Sequence, residues 1–577
     1  MWRAIQDKAG NIITFPYSTA LECGTLSCVS VKSGNSHSAA VLLSIGGYGD
    51  EDDILGMYYT KIKVAEAQKE MSLQYVGEST RKSPWHEFHR DQILVCSIDG
   101  NCILCGNKET QDQVGAYTPT DPVDVLRVEG HTSVVVDSSQ CAHPKCHCSL
   151  EDAILKQASR FLTVANSNLC GAVIDISNTV ILFGGMNGEY ELSNEMQYIR
   201  IASVQYGEPM KRAHIETNIV LIDIRVPQKG FGPSPRYRHA AVVQNGYHYV
   251  FGGDIDDSPQ QGTTDSSTLY RVCLADGVWE TLPSPCEATY HPWEKALLSN
   301  NSRSHSLASL NVLDSEHLIL IGGDDFNGTS GADNVGLENS SWMSRATTFL
   351  FQRVYFAVKN ALGKWLAVKY LTKISHCAVY NTRCHRWFPA WYRKGPPSGV
   401  QWTEVNGHVS LSDANGTVMW CFGKRNSIHT ESLDEPACDA RRSLTNGWSD
   451  SIDDRFTGDQ CGEMHCISLV GREEPSMWEW IHSSSWIKLF SKRREKFVFD
   501  YTRKLMGGRE PVPRGLYMAA ECLAHVKIEN PGNREYAETN IRESSIPVDI
   551  MLVMGGNRRH PDETIGAACW YLTMDSQ

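Results

Sequence analysis

Long apolar runs are missing from this chain. No stretch approaches the ~18 consecutive apolar residues that a membrane-spanning helix needs, so no membrane partnership is expected. The first residues, Met1-Trp2-Arg3-Ala4-Ile5-Gln6-Asp7, have no apolar core of leader length and carry an acid early. The expectation is an intracellular, cytoplasmic chain. Positive charge is in deficit: 54 Lys and Arg against 67 Asp and Glu give a formal net charge of -13, opposite to the footprint of a general nucleic-acid binder. Catalytic signatures are absent as well, with no Gly-x-Ser-x-Gly elbow, phosphate-cradling loop or dinucleotide fingerprint. Disorder is excluded for most of the chain, because 41% of residues are hydrophobic and 21% charged, as in ordinary globular proteins.

Cysteine is abundant, at 19 residues. Without a leader these read as reduced thiols, many serving as small apolar groups in strands.

The clearest positive signal is a repeat, an apolar strand closed by two glycines. It occurs as Val41-Leu42-Leu43-Ser44-Ile45-Gly46-Gly47, Val180-Ile181-Leu182-Phe183-Gly184-Gly185 and Tyr249-Val250-Phe251-Gly252-Gly253. Leu318-Ile319-Leu320-Ile321-Gly322-Gly323 and Met551-Leu552-Val553-Met554-Gly555-Gly556 follow. Two degenerate copies keep one glycine, Cys102-Ile103-Leu104-Cys105-Gly106 and Val418-Met419-Trp420-Cys421-Phe422-Gly423. A short run apolar on both faces suits a strand buried between neighbouring sheets. The glycines permit a sharp turn and close approach of another segment. Ahead of one copy, Arg238–Val243 and Tyr247–Phe251 flank Asn245-Gly246, the strongest short-range hairpin signal. After it come Leu269-Tyr270-Arg271-Val272, the turn Asp276-Gly277, and Val278-Trp279-Glu280-Thr281-Leu282.

The stretch from Pro235 to Pro283 resembles one blade of the kelch superfamily, and the resemblance extends along nearly the whole chain. It implies an all-β, kelch-type β-propeller of seven four-stranded blades forming a single domain over 1–577. Blade five is expected to use Phe349, Tyr355 and Trp365, and blade six Cys466–Leu469 with Trp478-Glu479-Trp480. Seven blades need roughly 350 residues, and the chain has 577. The remainder is expected in insertions near 130–166, 371–398, 425–460, 482–510 and 527–546. The last blade, within 511–577, lacks a Trp-bearing fourth strand. Trp2–Ile5 is expected to supply it by pairing antiparallel with Ala568–Leu572, which would remove an open edge.

Kelch domains that bind partners do so through residues ahead of the first strand and loops after the double glycine. That resemblance points to Arg236, Arg238, Arg303 and Arg514, with Asp254, Asp324 and Asp325. Forked arginines suit an acidic peptide; the competing reading pairs these arginines and aspartates with each other between blades. Cys141, His143, Cys146 and Cys148 are ligand types that zinc prefers, although no Cys-x-x-Cys knuckle stands there, and a merely cysteine-rich loop is the simpler reading. No cofactor is otherwise expected. Lys492-Arg493-Arg494 with Phe497, Phe499 and Tyr501 forms a local basic and aromatic patch over 492–504. Such a patch could touch nucleic acid, or it could be a loop docked on its own blade. The function expected by analogy is a non-catalytic scaffold for protein partners, within a larger complex. The alternative is an enzyme with a metal or cofactor in a central channel, similar to kelch-type oxidases.

Overall fold

The computed structural model describes residues 3–6, 10, 12, 14–15, 23–32, 38–47, 55–67, 70–75, 85–88, 93–97, 115–117, 128–136, 171–206, 216–225, 228–255, 268–274, 276–284, 306–323, 372–396, 405–413, 416–421, 424–425, 463–473, 496–505, 520–528, 546–554 and 569–574. They form an all-β protein organised as six antiparallel four-stranded units. Sheet one comprises Thr25–Lys32, Ser38–Ile45, Met57–Ala67 and Glu70–Tyr75. Sheet two comprises Thr132–Val136, Thr179–Phe183, Met196–Tyr206 and Glu216–Arg225, and Ile93–Ser97 adds to its outer edge in parallel. Sheet three comprises Ala240–Gln244, Tyr247–Phe251, Leu269–Cys273 and Trp279–Leu282.

Sheet four contains Ser309–Asp314, His317–Ile321, Thr372–Asn381 and Arg386–Lys394. Sheet five contains Val409–Ser412, Thr417–Cys421, Glu463–Glu473 and Lys496–Leu505. The outer strands of these two pair in parallel, Ala390 opposite Phe497 and Trp391 opposite Val498. Their first strands also lie against each other, so the eight strands form a nearly closed barrel. Sheet six contains Ala520–Ile528, Ile546–Met554, Cys569–Met574 and Arg3–Ala4. Here Arg3 faces Tyr571 and Ala4 faces Trp570, antiparallel. The Ile5 amide donates to the Cys569 carbonyl at 2.9 Å, and Ile5 is buried. Trp2 lies outside the described residues.

The second strands are strongly enclosed, and every residue of Thr179–Phe183 and His317–Ile321 is buried. Packing between sheets reuses one contact. Phe183 of sheet two meets the Trp279 indole of sheet three at 5.4 Å, and Phe251 of sheet three meets Trp387 of sheet four at 5.6 Å. First strands neighbour one another as well: one with two, two with three, three with four, four with five, five with six, and six with one.

Several expected boundaries move. The degenerate copy at Cys102–Gly106 lies outside the described residues. Gly47 donates to the Val128 carbonyl at 3.0 Å, directly ahead of sheet two, so among the described residues no sheet separates one from two. Six units, not seven, are thus present among the described residues. Phe349, Tyr355, Trp365 and Trp478–Trp480 also lie outside them. The corresponding outer strands are Thr372–Asn381, Arg386–Lys394 and Lys496–Leu505, inside stretches expected as insertions. Burial explains the correction, since Val379, Tyr380, Trp387, Phe497 and Phe499 are core residues. The expected insertion 130–166 likewise opens with a first strand, 132–136. Stretch 527–546 begins and ends in strand residues, and residues 426–460 lie outside the described set.

Candidate functional site at the head of the first strands

Two residues ahead of five first strands stands a residue with left-handed backbone: Cys23, Gly130, Arg238, Leu307 and Gly407, with φ of 57, 59, 57, 59 and 55°. Such values are uncommon for residues with a side chain and mark positions held by their surroundings. A chain of backbone hydrogen bonds does the holding. The Gly130 amide donates to Cys23 (2.8 Å), Arg238 to Gly130 (2.6 Å), Leu307 to Arg238 (2.9 Å) and Gly407 to Leu307 (3.1 Å). Successive sheets are thereby joined head to head.

The next residue is histidine in three of the five. His131 Nε2 hydrogen-bonds Thr25 Oγ1 at 2.7 Å, His239 bonds Thr132 Oγ1 at 2.8 Å, and His408 bonds Ser309 Oγ at 2.8 Å. Each hydroxyl opens the first strand of the preceding sheet. Burial pushes His131 and His408 down to about 4 and His239 well below its ordinary value. All three are therefore neutral spacers at pH 7, not charged ligands.

These histidines explain the double glycines. At Gly184, with φ +65°, a Cβ would lie 2.7 Å from the Arg236 carbonyl oxygen and 2.8 Å from His239 Cε1. The following glycines donate across the junction, Gly185 to Arg236 O and Gly323 to Val405 O, both at 2.8 Å. Gly184→Ala is expected to destabilise by about 2–3 kcal/mol, combining left-handed strain with an overfilled contact. Urea unfolding measures it, and a change below ~0.5 kcal/mol would refute the close approach.

Around this chain sits a charged cluster. The Arg238 guanidinium hydrogen-bonds the Cys23 thiol and stands 4.9 Å over the Tyr237 ring. Burial opposes its charge, but Cys23, Tyr237 and Asp254 more than offset that. Burial also raises Tyr237, against Arg238 and reinforced by Asp254, Glu129 and Cys23. Asp254 Oδ2 accepts from Ser306 Oγ at 3.0 Å. The arrangement brings one cation, two carboxylates, a phenol and a thiol together.

Of the residues expected at the partner-facing rim, Arg238 and Asp254 are brought together here. Arg236 is not part of that surface, for it is fully buried. Its Nη1 donates to Gly252 O at 2.8 Å, its Nε to Ser234 O at 3.0 Å, and its guanidinium lies 5.4 Å over the Tyr270 ring. Arg303, Arg514, Asp324 and Asp325 lie outside the described residues, as do Cys141, His143, Cys146 and Cys148. Among the described residues no group of three or more His, Cys, Asp or Glu could hold a metal ion. In the patch at 492–504, Phe497 and Phe499 are wholly buried and so are not free to stack on bases. Cys421 is buried with its thiol pushed well up by burial; Cys105 lies outside the described residues.

Sequence reasoning missed His131, His239, His408 and Cys23. The three histidines share a readable signal, each standing one residue ahead of a strand that leads to a double glycine or its degenerate copy. Glu521 was missed too. It lies deep among the first strands yet keeps some accessible surface, and burial raises it to about 8 against a backbone hydrogen bond from Ser410. No protein-family model matches the chain, and no curated protein matches it significantly.

Proposed function

We propose that the six sheets are the blades of a kelch-type β-propeller, and that the propeller is a non-catalytic scaffold for protein partners. The observation that carries the fold is the cycle of first strands, each against two neighbours, which returns from sheet six to sheet one. The glycine–histidine contacts and the strand Arg3–Ala4 in sheet six agree with a closed ring. The scaffold reading does not follow from the fold alone, since a fold does not dictate an activity. It rests on a cluster around Arg238 that offers charge and hydrogen bonds to a partner, and on long segments between the described strands, where binding residues concentrate.

Purification of the tagged chain from its native cells is the direct test. Stoichiometric protein partners that persist through size exclusion are expected. A lone chain carrying a stoichiometric metal or organic cofactor would overturn the scaffold. That outcome would favour an enzyme with its site among the first strands, for which the raised carboxyl of Glu521 is a candidate acid–base group.

A further inference from the structure

We infer that the junction of sheets two and three carries a docking surface for a basic protein segment with an aromatic or large aliphatic anchor. This rests on the reading of the chain as a scaffold. Among the described residues the most exposed large apolar side chains are Phe231, at 91%, and Tyr190, at 74%. Isolated exposed apolar residues are ordinary, but these two stand on loops bonded to one another. The Arg236 amide donates to Ser193 O at 3.0 Å, and Asn194 Nδ2 donates to Pro233 O at 3.3 Å.

Both loops are built to present their tips. Met186 bridges Leu192, and Asn187 Oδ1 accepts the amides of Glu189 (3.0 Å) and Glu191 (2.9 Å). Tyr190 is thereby held at φ +64°, a conformation unfavourable for an aromatic residue. In the other loop Lys229 bridges Val278, and Gln228 Oε1 accepts the Trp279 indole N–H at 2.7 Å. Gly230 and Gly232 lie against Trp279, which leaves Phe231 between them pointed at solvent. Neither ring gains the free energy that burial on a partner would supply.

Charge selects the occupant. Glu189, Glu191 and Glu195 are exposed in the first loop, which has no Lys or Arg, and Lys229 is the one exposed cation of the second. This surface repels phosphate backbones and favours lysine and arginine, as complementarity requires.

The probe is a displayed library of random 16-residue peptides selected on the full chain. Enriched peptides are expected to carry Lys or Arg around an aromatic or large aliphatic residue. Their Kd should weaken about 10-fold or more with Phe231→Ser, with Tyr190→Ser, or with Glu189→Lys combined with Glu191→Lys. Val470→Ser, at an exposed position on sheet five, should leave Kd unchanged, and melting temperatures should match throughout. No enrichment, acidic peptides, or basic peptides indifferent to these variants would overturn the surface. So would a dimer in sedimentation that Phe231→Ser abolishes, since the occupant would then be a second copy. Repeating the native purification with Phe231→Ser separates the two claims: partners that all remain bound remove this surface and keep the scaffold.

Discussion

Acidification from pH 7 to pH 4 is expected to unfold this protein. His131, His239, His248, His408 and His465 lie buried in its core and are held neutral at pH 7 by that burial. Burial lowers His131, His408 and His465 to about 4 and His248 to about 3, and takes His239 well below its ordinary value. A histidine whose folded pKa is depressed binds its proton more readily in the unfolded chain. Its contribution is complete above pH ~6.5 and drains away as pH falls toward the folded value. A depression of about 2.5 units corresponds to roughly 3 kcal/mol, so four such groups approach the whole stability of a typical domain. Glu521 works in the opposite direction, since its raised carboxyl favours the folded state as pH falls below 8. One carboxyl does not reverse the sum. Melting temperature measured from pH 7.5 to 4 should fall steeply below pH 6.5, and replacing His408 by Gln should shallow the slope. A flat profile from pH 7 to 5 would show that these rings are not sealed from water.

Replacing Arg236 by Ala is expected to cost about 3–5 kcal/mol of stability, whatever it does to partners. The guanidinium lies in no solvent-facing groove. It serves Gly252 O, Ser234 O and Ser234 Oγ (3.3 Å) and covers the Tyr270 ring. Truncation leaves buried carbonyls without donors and opens a void between the short pair Arg236–Tyr237 and Asp254–Ile255. Lysine should rescue only in part, because its point charge cannot reproduce a planar fork. Arg238→Ala, two residues away and partly exposed, should cost much less. Chemical denaturation of the three variants gives the ranking. A fully stable Arg236→Ala protein that loses its partners would return this side chain to the surface.

That pair of arginines shows where sequence reading stops. The segment Pro235–His239 was recognisable as the approach to a first strand. Which side chain turns inward depends on a two-residue strand pairing with Asp254–Ile255, and nothing local encodes that pairing. The apolar runs ending in glycine were legible because both elements of the signal are adjacent in sequence. Their cause was not: the room denied to a Cβ at Gly184 is taken by His239, 55 positions on in the numbering and in the next sheet. The outer strands of sheet four failed for a related reason. Two segments carry a suitable tryptophan, and local pattern cannot choose Trp387 over Trp365. The choice lies in long-range contacts, with the Trp387 indole donating to Pro283 O at 2.8 Å and packing 5.0 Å from Tyr380. Arg238 and Asp254 were found through the resemblance to kelch blades, which singles out the approach to the first strand and the loop after the double glycine. Cys23 was hidden among 19 cysteines and acquires meaning only beside the guanidinium.

The strand Arg3–Ala4 also sets a clock. It is made well before its partner Cys569–Met574, which follows it only after most of the chain. At ~5–20 residues per second, synthesis keeps them apart for roughly half a minute to two minutes. Throughout that interval Ile5 has no Cys569 carbonyl to bond and no sheet to enter. A nascent chain stalled before residue 569 therefore holds two unfinished edges, one at Arg3–Ala4 and one at Ile546–Met554. Pulse-labelled chains should pass from protease-sensitive to resistant in a single step once residues 569–574 have left the ribosome, not sheet by sheet.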